Sequence, residues 1–375
     1  MLLLQDKSRP LLARKPIGLA LQGGGSWGAY TWGVLDAVLA SRTIEITQLS
    51  GTSAGAINAA IVASALAKGS PAQARKSLRE FWLGIAHSPV ADLGRSVWGP
   101  VERAWRDRMA TWLHASNSLS PYTTNPLNIN PLRDAIAAHV DIDAIRSKAS
   151  PALYVTVTNV KTGLPRVIAN DAMSIDALLA SACLPTLFQA VEIDGEPYWD
   201  GGYCGNPTLW PMIHNGAARD LVVVQLVPDV VSETPRDATA IRPRIGEIVF
   251  NSSLVAEMQA IAAMRAIAER GEGQASVRDL RLHRIGPPPR ELIEAGSAGE
   301  RSRASLLRLH DEGRAAARQF IERHGIDIGV RETLAIARVY SDGRKPKMHT
   351  QVPELVVGTP GVPAAAAQPA TASAA

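Results

Sequence analysis

The residues best placed to do chemistry are Gly51-Thr52-Ser53-Ala54-Gly55. Ile44–Ser50 before them reads as a short strand, and Ala56–Ala63 after them reads as a helix. A strand that turns abruptly into a helix holds the residue at the turn in a strained conformation and pushes its side chain outward. The flanking positions must be small there, which Gly51, Ala54 and Gly55 satisfy. Ser53 would then sit at a helix N-terminus, where free N–H groups and the helix dipole favour negative charge. That is the environment an acylated serine needs. The bare G-x-S-x-G pattern also arises by chance in glycine-rich turns, so its strand–turn–helix setting carries the argument.

A second glycine-rich stretch lies upstream. Pro16–Leu21 is a short apolar run suited to a buried parallel strand. It leads into Gly23-Gly24-Gly25-Ser26-Trp27-Gly28 and then into Ala29–Leu39, with helical spacing at Tyr30, Val34, Leu35 and Val38. Two successive strand–helix units therefore carry glycine turns at the strand's C-terminal end, the edge where open α/β sheets bind ligands. Bare backbone N–H groups converging on one point suit either a phosphate or an oxyanion. The spacing fits neither G-x-G-x-x-G nor a G-K-[ST] phosphate loop. With the serine turn in the next unit, an oxyanion hole for acyl transfer is the better reading.

An esterase serine needs a base, commonly a histidine steered by a carboxylate. The chain has eight histidines. His87, His114, His139 and His214 lie in or beside polar loops and helix ends. His310 and His324 fall in a charged helix, His283 in a strand pattern, and His349 before the C-terminal tail. None has the surroundings of a catalytic loop. Asp200 differs: it ends a strand, and Gly201-Gly202 let the chain turn away. A shielded carboxylate within reach can take a serine proton directly. Asp-Gly is equally a common turn dipeptide, as Asp194-Gly195 illustrates six residues earlier.

The elements that must position these residues follow from patterning. Strands are expected at Ala152–Asn159 and Leu221–Val227 and over Val277–Ile285, with hairpins at Pro165–Ala169 and around Asp194-Gly195-Glu196. Helices are expected at Gln73–Ala86, Leu132–His139, Ser174–Ala182, Arg244–Arg270 and Arg301–His324. Pro100–Ala115 reads as a basic amphipathic helix with Trp98, Trp105 and Trp112 in one stripe, which suits core packing or a membrane interface. Residues 1–14 read as a loose arm, and 351–375 as a disordered Pro/Ala-rich tail. The 375 residues are 46% hydrophobic with a net charge of +4, enough for a full core and too mildly basic to argue for nucleic acid. Two cysteines exclude a disulfide framework and fit a reducing compartment. No Cys/His spacing suggests zinc. Neither a signal peptide nor a membrane span is expected, so the reading is cytoplasmic.

Gly23–Gly28, Gly51–Gly55 and Asp200-Gly201-Gly202, in that order, resemble the patatin-like phospholipase family, and Ser181-Ala182-Cys183-Leu184-Pro185 is similar to its S-A-x-x-P segment. The resemblance covers roughly residues 15–230 of a domain expected at 15–350, leaving 231–350 as a helical extension. It implies a three-layer α/β/α fold with a mainly parallel sheet, and a Ser53–Asp200 dyad without histidine. Gly24 and Gly25 with neighbouring amides form the oxyanion hole it implies. Trp27 stands where the family usually has Arg or Lys, giving apolar surface in place of a cation. The expected activity is hydrolysis of lipid acyl esters without a cofactor, with peripheral membrane contact permitted. The alternatives are hydrolysis of acyl thioesters or storage polyesters, and lipid or membrane binding without catalysis. Chain length, headgroup and oligomeric state have no signature in the sequence.

Overall fold

The computed structural model describes residues 14–86, 120–215, 218–231, 233–270, 275–289, 291–292 and 301–340. The expected arm, the Trp98/Trp105/Trp112 helix and the Pro/Ala-rich tail lie outside them.

Eight strands form one sheet: β1 Lys15–Leu21, β2 Ile44–Gly51, β3 Ala152–Asn159, β4 Pro165–Ala169, β5 Val191–Ile193, β6 Glu196–Asp200, β7 Asp220–Val224 and β8 Arg281–Ile285. Their order is β5-β6-β3-β2-β1-β7-β8, with β4 also paired to β3. The pairs β3–β2, β2–β1, β1–β7 and β7–β8 are parallel, whereas β4 and β6 run antiparallel to β3. The central strands are apolar on both faces because both are covered. Leu19, Leu21, Leu153, Val155, Val222 and Val224 join one buried cluster, and their neighbours Ala20, Tyr154, Leu221 and Val223 join another. That alternation is the period of two that a pleated strand imposes.

The first cluster is closed by α1 Gly28–Ala40, α2 Ala54–Ala67, α3 Pro71–Ala86, α4 Leu132–His139, α5 Ile175–Ser181 and α7 Arg303–His324. The second is closed by α6 Ala238–Ala268. The result is the three-layer α/β/α arrangement with a mainly parallel sheet. Helix α2 is buried along Ala54–Ala65, so its run of Ala, Ile and Val is apolar all round rather than on one stripe.

Two expected boundaries need correction. Val277 does not open a strand: Ala275–Arg278 is a helical turn, and β8 starts at Arg281. Val277 and Leu280 are apolar because they fill the second cluster, which the strand pattern could not separate from pairing. The region after residue 230 carries the expected helices together with β8, which completes the sheet beside β7, and α7 packs against the first cluster. Helix α6 begins at Ala238, earlier than the expected Arg244, and contains Pro243.

Candidate active site

Register explains how two residues far apart in sequence come together. Within β3, Val155 pairs with Ile168 of β4 and Gly51 of β2, while Val157 pairs with Arg166 of β4 and Asp200 of β6. Since β4 occupies one edge of β3, β2 and β6 share the other edge end to end. β2 leaves at Gly51, and β6 delivers Asp200 two residues further along the same strand. Ser53 follows Gly51 by two residues, so the hydroxyl and the carboxylate meet above the C-terminal ends of the parallel strands.

Ser53 has φ 55° and ψ −126°, a backbone conformation that costs a non-glycine residue about 1–3 kcal/mol and is a mark of functional sites. What enforces it is crowding. A Cβ on Gly55 would lie 2.2 Å from the Leu21 carbonyl oxygen, so strand β1 and helix α2 close directly on the turn. Two hydroxyls brace the same turn. Thr52 Oγ1 donates to the Gly205 carbonyl at 2.6 Å. Ser181 Oγ accepts the Ser53 N–H at 2.9 Å and donates to the Thr156 carbonyl at 2.8 Å.

Asp200 is fully buried. Its backbone N–H donates to the Cys183 carbonyl at 2.8 Å, and its carbonyl accepts Thr158 Oγ1 at 2.9 Å. The segment Ser181–Cys183 therefore holds the main chain of both Ser53 and Asp200. The Asp200 carboxylate accepts the Gly202 N–H at 2.7 Å. Burial is the dominant influence on its ionisation and raises it, to about 7; the Gly202 N–H and the Ser53 hydroxyl oppose that rise only in part. The serine contact is looser than a formed hydrogen bond, since Asp200 Oδ2 has no hydrogen-bond partner among the described residues. A carboxylate with one oxygen unengaged and a pKa near neutrality is poised to accept a proton. The neighbouring Cys183 thiol, buried and facing this charge, is pushed up to about 12 and stays neutral.

The glycine loop borders Ser53. A Cβ on Gly23 would stand 2.7 Å from Ser53 Cβ and 2.7 Å from the Thr52 carbonyl oxygen. Its amides are not equivalent. The Gly23 N–H is donated to Asn206 Oδ1 at 2.6 Å, and the Trp27 N–H to the Gly24 carbonyl at 3.2 Å. The Gly28 N–H goes to the carbonyls of Gly25 and Ser26. Of the Gly23–Gly28 amides expected to face an oxyanion, those of Gly23, Trp27 and Gly28 are thus engaged within the protein. Within that span Gly25 adopts φ 57°, open to glycine at no steric cost.

No described histidine serves this site. His283 pairs with Asp220 and Thr333, His310 with Asp311 and Asp36, and His324 with Asp327. His139 packs edge-on to Phe81, and His214 against Trp210. His87, His114 and His349 lie outside the described residues. Ser181, in the S-A-x-x-P segment, and Asn206 have no role legible from the sequence. Each is a buried polar residue, and only the fold reveals what it bonds to.

A scan against family models matches the model described as "Patatin-like phospholipase" over residues 19–213. With a match that covers more than half of it, the chain belongs to the patatin-like phospholipase family, and that membership supports a lipid hydrolase function. Among solved structures, VipD from Legionella pneumophila is similar at 15% identity, TM-score 0.43, over 83% of this chain and 68% of that one. The heterodimeric ExoU–SpcU complex of the type III secretion system of Pseudomonas aeruginosa is similar at 17% identity, TM-score 0.29, over 89% and 75%. Likenesses at these TM-scores carry no argument about the site. No curated protein matches the chain.

Proposed function

We propose that the chain is a serine acyl hydrolase of lipase or phospholipase A type, with Ser53 as nucleophile and Asp200 as general base. The supporting observation is the buried Asp200 carboxylate, its pKa near 7, beside a serine held at positive φ. As Ser53 Oγ attacks the acyl carbonyl carbon, its proton passes to Asp200 and the carbonyl electron pair moves to oxygen. The amides of Gly24 and Gly25, with Ser26, face that developing charge, a contribution worth about 3–4 kcal/mol per donor in comparable sites. Collapse of the intermediate expels the alcohol, which takes the proton back from Asp200, and leaves acyl-Ser53. Water then attacks the acyl carbon, Asp200 again accepting the proton; as the intermediate collapses the bond to Ser53 Oγ breaks, Oγ takes the proton back from Asp200, and the fatty acid departs.

The substrate class is a lipid acyl ester. Among the described residues no helix is long and apolar enough to cross a membrane. Ser53→Ala and Asp200→Asn are each expected to bring p-nitrophenyl butyrate hydrolysis to background while keeping the wild-type circular dichroism spectrum. Wild-type activity in either variant overturns the dyad. Fatty-acid release from phospholipid vesicles, triacylglycerol emulsions, acyl thioesters and a storage polyester, with Ser53→Ala as blank, then fixes the substrate.

A further inference from the structure

We propose that Asn206 is a positioning residue for the oxyanion loop, locking Gly23 against Ser53 and so deciding which amides remain to meet the acyl oxygen. The inference rests on the Ser53–Asp200 reading. Asn206 is fully buried, and its hydrogen-bonding groups join three segments that are distant in the chain. Its Oδ1 accepts the Gly23 N–H at 2.6 Å. Its Nδ2 donates to the Phe250 carbonyl of α6 at 3.0 Å and, more loosely, to the Gly23 carbonyl at 3.4 Å. The Asn206 N–H donates to Ser253 Oγ at 3.0 Å, and its carbonyl accepts Gln22 Nε2 at 3.3 Å. One side chain thus fastens the glycine loop to the loop that leaves Asp200 and to the helix behind both.

Two features make this a positioning device rather than ordinary core satisfaction. First, Gly23 is closely confined: Ser53 Cβ and the Thr52 carbonyl leave no room even for a methyl group, while Asn206 grips its amide. Gly24 and Gly25, next in the chain, inherit that fixed starting point. Second, by taking the Gly23 N–H, Asn206 removes a donor that would otherwise compete for the acyl oxygen from the wrong place. Preorganised donors stabilise a transition state because they need no rearrangement as charge develops, and a misplacement near 1 Å can cost about a hundredfold in rate. Gln22 supports the same loop from below. Its Oε1 accepts the N–H groups of Leu226 and Val227, both at 2.8 Å, and its Nε2 also reaches Asn251 Oδ1 at 3.1 Å. Residues beyond the family match at 19–213 are thereby tied into the site.

The test compares Asn206→Ala and Asn206→Asp with wild type on p-nitrophenyl butyrate, with melting curves in parallel. Asn206→Ala is expected to lower kcat by about 30- to 100-fold with KM changed less than about threefold. Asn206→Asp should recover part of that loss, with a larger fraction of the wild-type rate at pH 6 than at pH 8. Only the neutral acid keeps both an acceptor for the Gly23 N–H and a donor for the Phe250 carbonyl. If Asn206→Ala does not fold, Ser253→Ala, which frees the Asn206 N–H from α6, is expected to lower kcat about fivefold at constant KM. If Ser53→Ala retains hydrolysis, the dyad reading falls and this role with it. If Ser53→Ala is inactive but folded Asn206→Ala keeps its kcat, or changes KM alone, the dyad stands and the positioning role is overturned.

Discussion

Two buried aspartates at opposite ends of the sheet show how neighbours, rather than depth, decide what a carboxylate does. Asp200 ends β6 at the edge where the parallel strands finish, and Asp220 begins β7 at the edge where they start. Each is at most 3% exposed. Burial is the largest influence on both and raises both. At Asp200 it prevails, because one backbone amide and a loosely placed hydroxyl are all that oppose it. At Asp220 it loses. His283 Nε2 at 3.1 Å, Arg281 Nη2 at 2.7 Å and the Gly329 N–H at 2.8 Å converge on the carboxylate and hold its pKa well below the usual range. His283 also reaches Thr333 Oγ1 at 2.9 Å through its other nitrogen, so Asp, His and a hydroxyl stand in the order of a catalytic triad. That cluster is saturated: its charges are neutralised and its donors engaged, which makes it a fastener between β7, β8 and the chain near Thr333. On the proposed mechanism the under-coordinated carboxylate is the one that reacts.

Exchanging the carboxylates for amides should separate the two roles. Asp200→Asn is expected to lower kcat by about 10³-fold or more, since the base is lost. The same change should raise stability at pH 8. The folded pKa of Asp200 lies above its unfolded value of 3.8, so its favourable contribution is full below about pH 4 and is lost as pH rises to about 7. Above that, the native state keeps a buried charge that an amide does not carry. The gain expected is about 2 kcal/mol, read as a higher Tm at pH 8 and none at pH 4. A lower Tm at pH 8 would show that Asp200 is stabilised as an anion and is no poised base. By the same titration, kcat/KM should rise with pH through about 7; a profile flat from pH 5 to 9 contradicts that assignment.

Asp220→Asn should behave in the opposite way. It leaves Arg281 without its counter-charge and weakens the hydrogen bond to His283, at a cost of about 2–4 kcal/mol in chemical denaturation, while kcat per folded molecule stays within about twofold. The wild-type contribution of Asp220 is present above the unfolded pKa and disappears as pH falls below about 4, the reverse of Asp200. A large loss of kcat in folded Asp220→Asn would mean that the His283 cluster takes part in the chemistry.

The difference between the two aspartates also marks what could be read from the sequence. Local signals were sufficient where one segment determines its own structure. Ala152–Asn159 and Leu132–His139 form the strand and helix their patterns predict, and the Ser53 turn follows from small residues between an apolar strand and an apolar helix. Val277 was misread because an apolar residue filling a core looks the same in a helical turn as in a strand. The Asp200-Gly201 and Asp194-Gly195 dipeptides are indistinguishable as local chemistry. What separates them is register on β3, which brings one beside Ser53 and leaves the other at an exposed hairpin turn. The commitment of the Gly23 amide to Asn206 spans most of the catalytic core and has no local signature.

Strain at Ser53 gives a finer comparison, because its φ of 55° is held by the crowded turn beside Asp200. Ser53→Gly removes the hydroxyl and relieves the positive φ together, so it should be inactive yet more stable than Ser53→Ala by about 1 kcal/mol. Equal melting temperatures for the two would mean that the turn is not strained.

The last comparison concerns Ser181, whose hydroxyl stands to Ser53 as Arg281 stands to Asp220, a support that takes no part in the proposed reaction. Its Oγ is the acceptor for the Ser53 N–H and is itself anchored on the Thr156 carbonyl, one residue from the Val157 that pairs with Asp200. Removing it leaves one buried N–H and one buried carbonyl unsatisfied, worth about 1–3 kcal/mol in stability. The Ser53 backbone would remain confined by Gly55 against Leu21, so the turn should persist with a wider range of hydroxyl positions. Ser181→Ala is therefore expected to lower kcat about tenfold with little change in KM, and Ser181→Thr, which keeps the hydroxyl, should recover most of that rate. If Ser181→Ala lost only stability and kept full kcat, crowding alone would hold the nucleophile, and the hydroxyl would belong with the structural fasteners around Asp220.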